Sequence, residues 1–249
     1  MSLKVFITGG TTGIGLALAK KFLAEGAIVA VTGRSQEKYN AIRDKRIIFY
    51  QSDVAKSDQM KVCVEHFIKH QGGLDIIIAN AGIGYSEKSA IPNFAESKRI
   101  FEVNVFGVMN TIEPALEYFH QKGSGHVVCI SSIAGFNGLP GTSAYAASKS
   151  AVSKLFESYA IDFKQSNIDV TCIHPGFVDT PLTQRNKHPM PFIVSATRAG
   201  DKFYSAIMKK KSYYAYPRFF SGLVRFLSFL PRSLYISMMR SKFLNYSVK

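Results

Sequence analysis

The chain has 249 residues, 47% of them apolar, and carries 31 basic against 17 acidic side chains for a net charge of +14. Length and apolar content suit one α/β domain with a substantial core, and neither an internal repeat nor a low-complexity linker divides it. Cys63, Cys129 and Cys172 lie in apolar runs without C-x-x-C spacing, which points to buried free thiols in a reducing compartment rather than to a disulfide framework.

In chain order, the first element is Leu3-Lys-Val-Phe-Ile-Thr8, a short apolar run that reads as a buried strand. Gly9-Gly-Thr-Thr-Gly-Ile-Gly15 breaks it, and Leu16 to Phe22 resumes at helical period. Strand, glycine turn and helix make a phosphate-binding context. Gly9 permits a tight turn, Gly13 a close backbone approach and Gly15 close helix packing, while the helix start offers free N–H groups and a positive dipole. The spacing is G-x-x-x-G-x-G rather than the usual dinucleotide G-x-G-x-x-G. Ile28-Val-Ala-Val-Thr32 reads as the second strand. At its end, where a carboxylate would meet a ribose 2′-hydroxyl, stand Gly33 and Arg34. A guanidinium there favours a 2′-phosphate, and so NADP(H) over NAD(H); the plainer reading is an exposed arginine after a strand.

His66 and His70 share a helical spacing, but no third ligand accompanies them, so no metal is expected. Strand signals near residues 3, 28, 46, 74, 126, 168 and 213, mostly separated by helical stretches, imply a Rossmann-like, doubly wound α/β fold. Its sheet is expected to be parallel and seven-stranded, with helices on both faces and ligands at the strands' carboxyl ends. The strand His126-Val-Val-Cys-Ile130 leads into Ser131-Ser132, and thirteen residues after Ser132 comes Tyr145 in Ser143-Ala-Tyr-Ala-Ala-Ser-Lys149. The spacing of four puts the Tyr145 phenol and the Lys149 ammonium on one helix face, where the cation favours a phenolate. Such pairs are also common on solvated helices; the weight of this one comes from its companions.

In this order the motifs resemble the short-chain dehydrogenase/reductase family, from Thr8 to about Pro217. Thr8-Gly-Gly-Thr-Thr-Gly-Ile-Gly15, with Thr11, Thr12 and Ile14 among its residues, is similar to the cofactor turn. Asp53 and Val54 fall in the segment that holds adenine, and Asn80-Ala81-Gly82 resembles the motif ending the fourth strand. Asn104, Ser132, Tyr145 and Lys149 resemble the catalytic tetrad, and Pro175-Gly176-Phe-Val178-Asp-Thr180 the loop around the nicotinamide. Ala79 stands where the family often has a further asparagine.

The resemblance implies hydride transfer between a nicotinamide cofactor and a carbonyl or secondary alcohol. Tyr145 would give or take the proton, Lys149 would hold the nicotinamide ribose, and Ser132 would bond the substrate oxygen. Asn104 would anchor a proton-relaying water, and Val178 and Thr180 would fix the carboxamide. The expected activity is that of an NADPH-dependent carbonyl reductase. The alternatives are an NADP+-dependent alcohol dehydrogenase and an NADPH-binding regulatory or membrane-surface protein without turnover. A homo-oligomer, dimer or tetramer, built on the helices that carry Asn104 and Tyr145, is also implied.

Charge is distributed unevenly. Residues 1–179 hold 18 basic and 16 acidic groups, whereas residues 180–249 hold 13 basic groups and one acid, Asp201, so 12 of the 14 excess charges lie in the last 70 residues. There Phe219, Leu223, Phe226, Leu227 and Leu230 share one helical stripe, with Arg218, Ser221, Arg225 and Ser228 on another. After Pro231, a second apolar helix is expected from Leu234, Tyr235, Met238, Met239 and Phe243, beside Arg232, Arg240 and Lys242. Residues 1–217 are therefore read as the catalytic Rossmann domain, with a substrate lid over about 181–200, and 218–249 as a basic amphipathic helical extension of it. Met190, Phe192 and Ile193 in the lid are expected to line an apolar pocket, favouring a lipophilic, lipid-like substrate.

Neither tail segment reaches the roughly 20 apolar residues of a bilayer span. The expectations open for the tail are peripheral contact with a membrane, closure over the substrate pocket, or a subunit interface. Nucleic-acid binding is not expected, because no recognition motif accompanies the charge. No secretory segment is read before the first strand, and the expected location is cytoplasmic, with or without membrane-surface association.

Overall fold

The structure, a computed structural model, describes residues 2–42, 44–84, 91–186 and 189–241. The amino-terminal half runs β1 (Lys4–Ile7), α1 (Gly13–Ala24), β2 (Ile28–Gly33), α2 (Gln36–Asn40), β3 (Ile48–Gln51), α3 (Ser57–Gln71), β4 (Ile76–Ala79), α4 (Phe94–Phe101) and α5 (Gly107–Lys122). The chain continues through β5 (Gly125–Ile130), α6 (Ser143–Asp162), β6 (Ile168–Pro175), β7 (Val178–Asp179), β8 (Val194–Ser195), α7 (Ala196–Met208), β9 (Tyr213–Tyr216), α8 (Arg218–Leu227) and α9 (Arg232–Met239).

Seven strands form one sheet in the order β3-β2-β1-β4-β5-β6-β9, and every pairing in it is parallel. The expected doubly wound sheet is thus observed. Successive side chains of β1 point to opposite faces, as a strand's pleat requires. Val5 and Ile7 join Leu18 and Phe22 of α1 and Phe203 of α7 on one face. Phe6 joins Met60 and Phe67 of α3 and Phe119 of α5 on the other. The Phe6 and Phe67 rings meet edge to face at 5.6 Å, an arrangement that places a ring edge against a π face. Burying each such phenylalanine contributes about 1.5–3 kcal/mol, which is what holds the helices against the sheet and fixes the strand ends between them.

Strand order reverses between β1 and β4, and the crevice at such a switch point is where this architecture binds ligands. The glycine turn after β1 and Asn80-Ala-Gly82 after β4 meet there, joined by the Thr8 N–H donating to the Ile78 carbonyl at 3.0 Å. Cys63, Cys129 and Cys172 are free and buried. Burial pushes the Cys129 thiol up to about 12 and raises Cys172 well above its ordinary value, so neither is a ready nucleophile.

The two tail helices pack against the segment that follows β5. The Asn137 side-chain amide donates to the Val224 carbonyl at 3.1 Å, and the Tyr235 hydroxyl donates to Gly138 at 2.6 Å. Leu230 lies beyond the end of α8, and Lys242 and Phe243 lie outside the described residues. Among the described residues no helix is long and apolar enough to cross a membrane.

Candidate active site

The helix start of α1, the ends of β2, β4, β5 and β6, and the first turns of α6 converge on one cleft of about 330 Å³. Its floor is the turn after β1. The Thr8 hydroxyl accepts the backbone N–H of Asn80 at 3.1 Å and of Ala81 at 3.3 Å. The Asn80 amide donates back to the carbonyls of Thr8, at 2.9 Å, and Gly9, at 3.1 Å. Asn80 therefore braces the turn. Gly13 adopts φ +57° and faces Thr180, whose side chain an added Cβ would approach to 3.1 Å, so a side chain there would be strained by the backbone and crowded against the opposite wall.

At the outer end the cleft is lined by Gly33, Arg34, Ser35 and Lys38 on one side and by Ser52, Asp53 and Val54 on the other. Gln59 accepts the Asp53 N–H at 3.0 Å, while the Asp53 carboxylate accepts the Ala55 N–H at 3.0 Å. The Thr32 hydroxyl beside them is buried without a protein partner. Glycines that admit a backbone approach, a helix N-terminus, two cations and an unpartnered hydroxyl form a donor set that suits an anionic dinucleotide.

At the inner end, α6 places Tyr145 in its first turn and Lys149 one turn on. Lys149 is 5% exposed, and its ammonium donates to the Ile130 carbonyl at 2.9 Å. The Ser131 hydroxyl turns inward to the Lys149 carbonyl, at 3.0 Å, and to Ser153, at 2.8 Å. Ser132 instead caps the turn Ile133–Phe136, its oxygen accepting the Ala134 N–H at 3.1 Å. Asn104 sits in a π-helical turn, Glu102–Phe106, between α4 and α5, a local widening often found at functional sites. Its Oδ1 accepts the Ile83 N–H at 2.8 Å, and its amide donates to the Ile83 carbonyl, at 2.9 Å, and Ser148, at 3.0 Å. Both amide hydrogens are engaged, so a water at Asn104 has oxygen lone pairs, not side-chain N–H groups, to bind.

Ser153 also bonds His174 at 3.0 Å. Burial, reinforced by Arg225, holds His174 down at about 4, so it is neutral beneath the site. The loop after β6 is tied by the Gly176 N–H donating to Tyr216 at 2.8 Å and by the Thr183 hydroxyl donating to Val178 at 2.6 Å. Val178 pairs with Val194 in a two-residue sheet that links this loop to the lid's far end.

Of the expected residues, Gly9, Thr11, Thr12, Gly13, Ile14, Arg34, Asp53, Val54, Asn80, Ala81, Gly82, Ser132, Tyr145, Lys149, Pro175, Gly176, Val178 and Thr180 line this one cleft. Gly15 and Asn104 lie just behind its wall, Gly15 against the Asn80 amide and Asn104 with no exposed surface. Met190, Phe192 and Ile193 do not line it. Phe192 and Ile193 are 55% and 43% exposed, because Phe192 is drawn to Phe219 and Phe220 of α8, at 5.8 and 5.6 Å between rings. Lys187 and His188 of the lid lie outside the described residues. Lys38, Thr32, Thr183, Ile83 and Leu182 line the cleft without having been singled out. Lys38 lies in α2, which begins just after Arg34 and is capped by Ser35; Thr183 carried no signal. His66 and His70 stack at 3.8 Å, and the described residues contain no group of three or more metal-ligating side chains.

Residues 4–190 match the family model described as short chain dehydrogenase. The chain belongs to the short-chain dehydrogenase/reductase family. As a member it is an oxidoreductase acting between carbonyl and CH–OH groups with a nicotinamide dinucleotide. An uncharacterized oxidoreductase of Myxococcus xanthus is 32% identical over 92% of this chain and 93% of its own length. Among solved structures, ElxO with NADP bound superposes with a TM-score of 0.79 at 26% identity, covering 86% of this chain and 96% of that one. The 3-ketoacyl-(acyl-carrier-protein) reductase of Brucella melitensis, complexed with NADH, gives a TM-score of 0.79 at 22% identity over 86% and 95%, a likeness of fold. The glycine turn and the Tyr145–Lys149 helix of this short-chain dehydrogenase/reductase lie within its matched region.

Proposed function

We propose that this protein is an NADPH-dependent carbonyl reductase acting on an apolar ketone, with Asn104, Ser132, Tyr145 and Lys149 as its catalytic set. The observation that carries the reading is the union, in one cleft, of Tyr145, Lys149 and Ser132 at one end with Arg34 and Lys38 at the other. When bound, the cofactor supplies hydride from its nicotinamide. Tyr145 gives its phenolic proton to the carbonyl oxygen, and the Lys149 cation steadies the phenolate left behind. Ser132 donates a hydrogen bond to the same oxygen as charge develops, its oxygen oriented by the Ala134 N–H at 3.1 Å. Asn104 ties the end of β4 to α6 through Ile83 and Ser148. Arg34 and Lys38 meet the 2′-phosphate, with no carboxylate at the tip of β2 to repel it.

The apolar preference is supported by Leu182, whose methyl group and the Tyr145 ring both lie 3.5 Å from the position of a Cβ built on Gly84. Free buried thiols suit a reducing compartment, in keeping with a cytoplasmic enzyme. We assign the protein to homo-oligomers through the α5 and α6 side, where Phe106 and Ile161 are exposed. The test is fluorescence titration with NADPH and NADH, followed by NADPH oxidation against apolar and polar ketones with Tyr145→Phe as control. Tighter NADPH binding with Tyr145-dependent turnover of apolar ketones is the expected result. Binding without turnover across the panel, or preference for NADH, overturns the reading.

A further inference from the structure

Helix α8 turns Phe220, Val224 and Leu227 half-buried toward the protein and carries a second apolar stripe on its outer side. Its one buried residue is a serine, Ser221, 3% exposed with an unpartnered hydroxyl. Phe219, Leu223 and Phe226, spaced i, i+4 and i+7 on one face, are 74%, 49% and 62% exposed. Phe229, one turn further along, is 75% exposed. A helix covering a core buries its apolar stripe; this second one faces solvent. It is also joined to the lid: Phe192, held at φ +57°, sets its ring 5.8 Å from Phe219. Behind it Phe220 stacks on Phe177 of the loop after β6 at 5.8 Å. One apolar ridge therefore runs from Phe192 of the lid along α8 to Phe229.

We propose that this ridge docks on the surface of an anionic lipid bilayer. Charge decides between occupants. Arg218, Arg232 and Arg240 are exposed on the two tail helices, with Arg225 exposed but stacked over the Tyr213 ring at 5.0 Å, in a region of 13 basic groups and one acid. That acid, Asp201, stands near Lys21 of α1. Glu157, which feels Arg225, is bonded to Lys154 at 2.6 Å. A second copy on this face would set the arginines against their own images without carboxylates to answer them. A bilayer rich in anionic headgroups takes both parts at once: the phenylalanines enter the headgroup boundary and the guanidiniums meet phosphate. The docking does not depend on which substrate or cofactor the cleft uses.

The test is co-sedimentation of the whole protein with vesicles of phosphatidylcholine alone and of phosphatidylcholine with about one-third phosphatidylglycerol. Wild type and the double variant Phe226→Ser/Phe229→Ser are compared, with dinucleotide titration reporting that the variant is folded. The expected result is binding to the anionic vesicles only, weakened at about 0.5 M salt and reduced about tenfold or more in the variant. Absence of binding, equal binding to neutral vesicles, or unchanged binding by the variant overturns the proposal. So does a wild-type dimer that the variant dissolves while neither binds vesicles, which gives the face to a second copy.

Discussion

The Lys149 ammonium stands 5.9 Å from the centre of the Tyr145 ring, one turn along α6. The cation is buried and its hydrogen bond runs to the Ile130 carbonyl, so the end of β5 fixes its position rather than a counter-charge. Under the proposed mechanism, Tyr145→Phe removes the proton donor and lowers kcat by about 10²- to 10⁴-fold, while NADPH affinity and stability stay near wild type. Lys149→Met lowers kcat similarly and also strands the Ile130 carbonyl, at about 1–3 kcal/mol. Steady-state kinetics alongside denaturant unfolding separate the two; equal stability loss in both variants contradicts the assignment.

Gly82 is the contact point between the ends of β4, the π-helical turn and α6. A Cβ at this position would lie 3.3 Å from Asn104 Oδ1, closer than ordinary packing, and 3.4 Å from Lys149 Nζ, at its limit, so the Asn104 amide must give by a few tenths of an ångström and presses on the Lys149 side. Gly82→Ala is expected to cost about 1–3 kcal/mol of stability, as overpacking does, and to lower kcat more than it raises KM, because it displaces the catalytic side of the cleft. A KM effect alone, with kcat intact, would show that Lys149 had not moved.

Arg34 and Lys38 are both exposed and both line the adenosine end of the cleft. Each charge-assisted hydrogen bond to a 2′-phosphate contributes about 1.5–3 kcal/mol. Arg34→Ala is therefore expected to weaken NADPH by about tenfold or more with little effect on NADH, and adding Lys38→Ala to bring the two affinities together. Titrations at low and high salt check this, since the NADPH advantage falls with screening.

The sheet was legible because its strands are nearly continuous apolar runs, as strands buried on both faces must be: Ile76–Ala79 reads Ile-Ile-Ile-Ala and is buried throughout. The inner end of the cleft was legible because Ser132, Tyr145 and Lys149, which line it, stand at fixed spacings along one strand end and one helix. Other features leave no such trace. The pair β7 and β8, two residues each, is too short to show a period, so the bracing of the loop by Thr183 was invisible. The π-helical turn at Asn104 follows from tertiary packing, not composition. Periodicity located the stripe of Phe219, Leu223 and Phe226 but is blind to direction, and the side that α8 turns to the protein is set by Asn137 reaching Val224. Phe192 faces away from the cleft for a similar reason, its ring finding aromatic partners on α8 that are distant in sequence.

Stability should fall on mild acidification, through two buried histidines. Burial holds His126 and His174 down at about 4 from an ordinary 6.5; His126 bonds Thr171 at 2.8 Å and His174 bonds Ser153 at 3.0 Å. A group whose folded value is depressed binds protons first in the unfolded chain. The stabilisation from keeping it neutral is complete above pH 6.5 and is lost as pH falls toward 4. By pH 5 each histidine removes about 2 kcal/mol, and together they take up about two protons on unfolding. Urea unfolding at about pH 7.5, 6 and 5 should show this slope, with the larger part of the loss below pH 6. His174 lies under the Ser153 and Ser131 hydroxyls that hold the Lys149 carbonyl, and in the folded enzyme it stays neutral until pH approaches about 4, so activity per folded molecule is expected to hold over the range in which stability falls. A flat stability profile between pH 7.5 and 5 would mean that water reaches both rings and that neither is held neutral by burial.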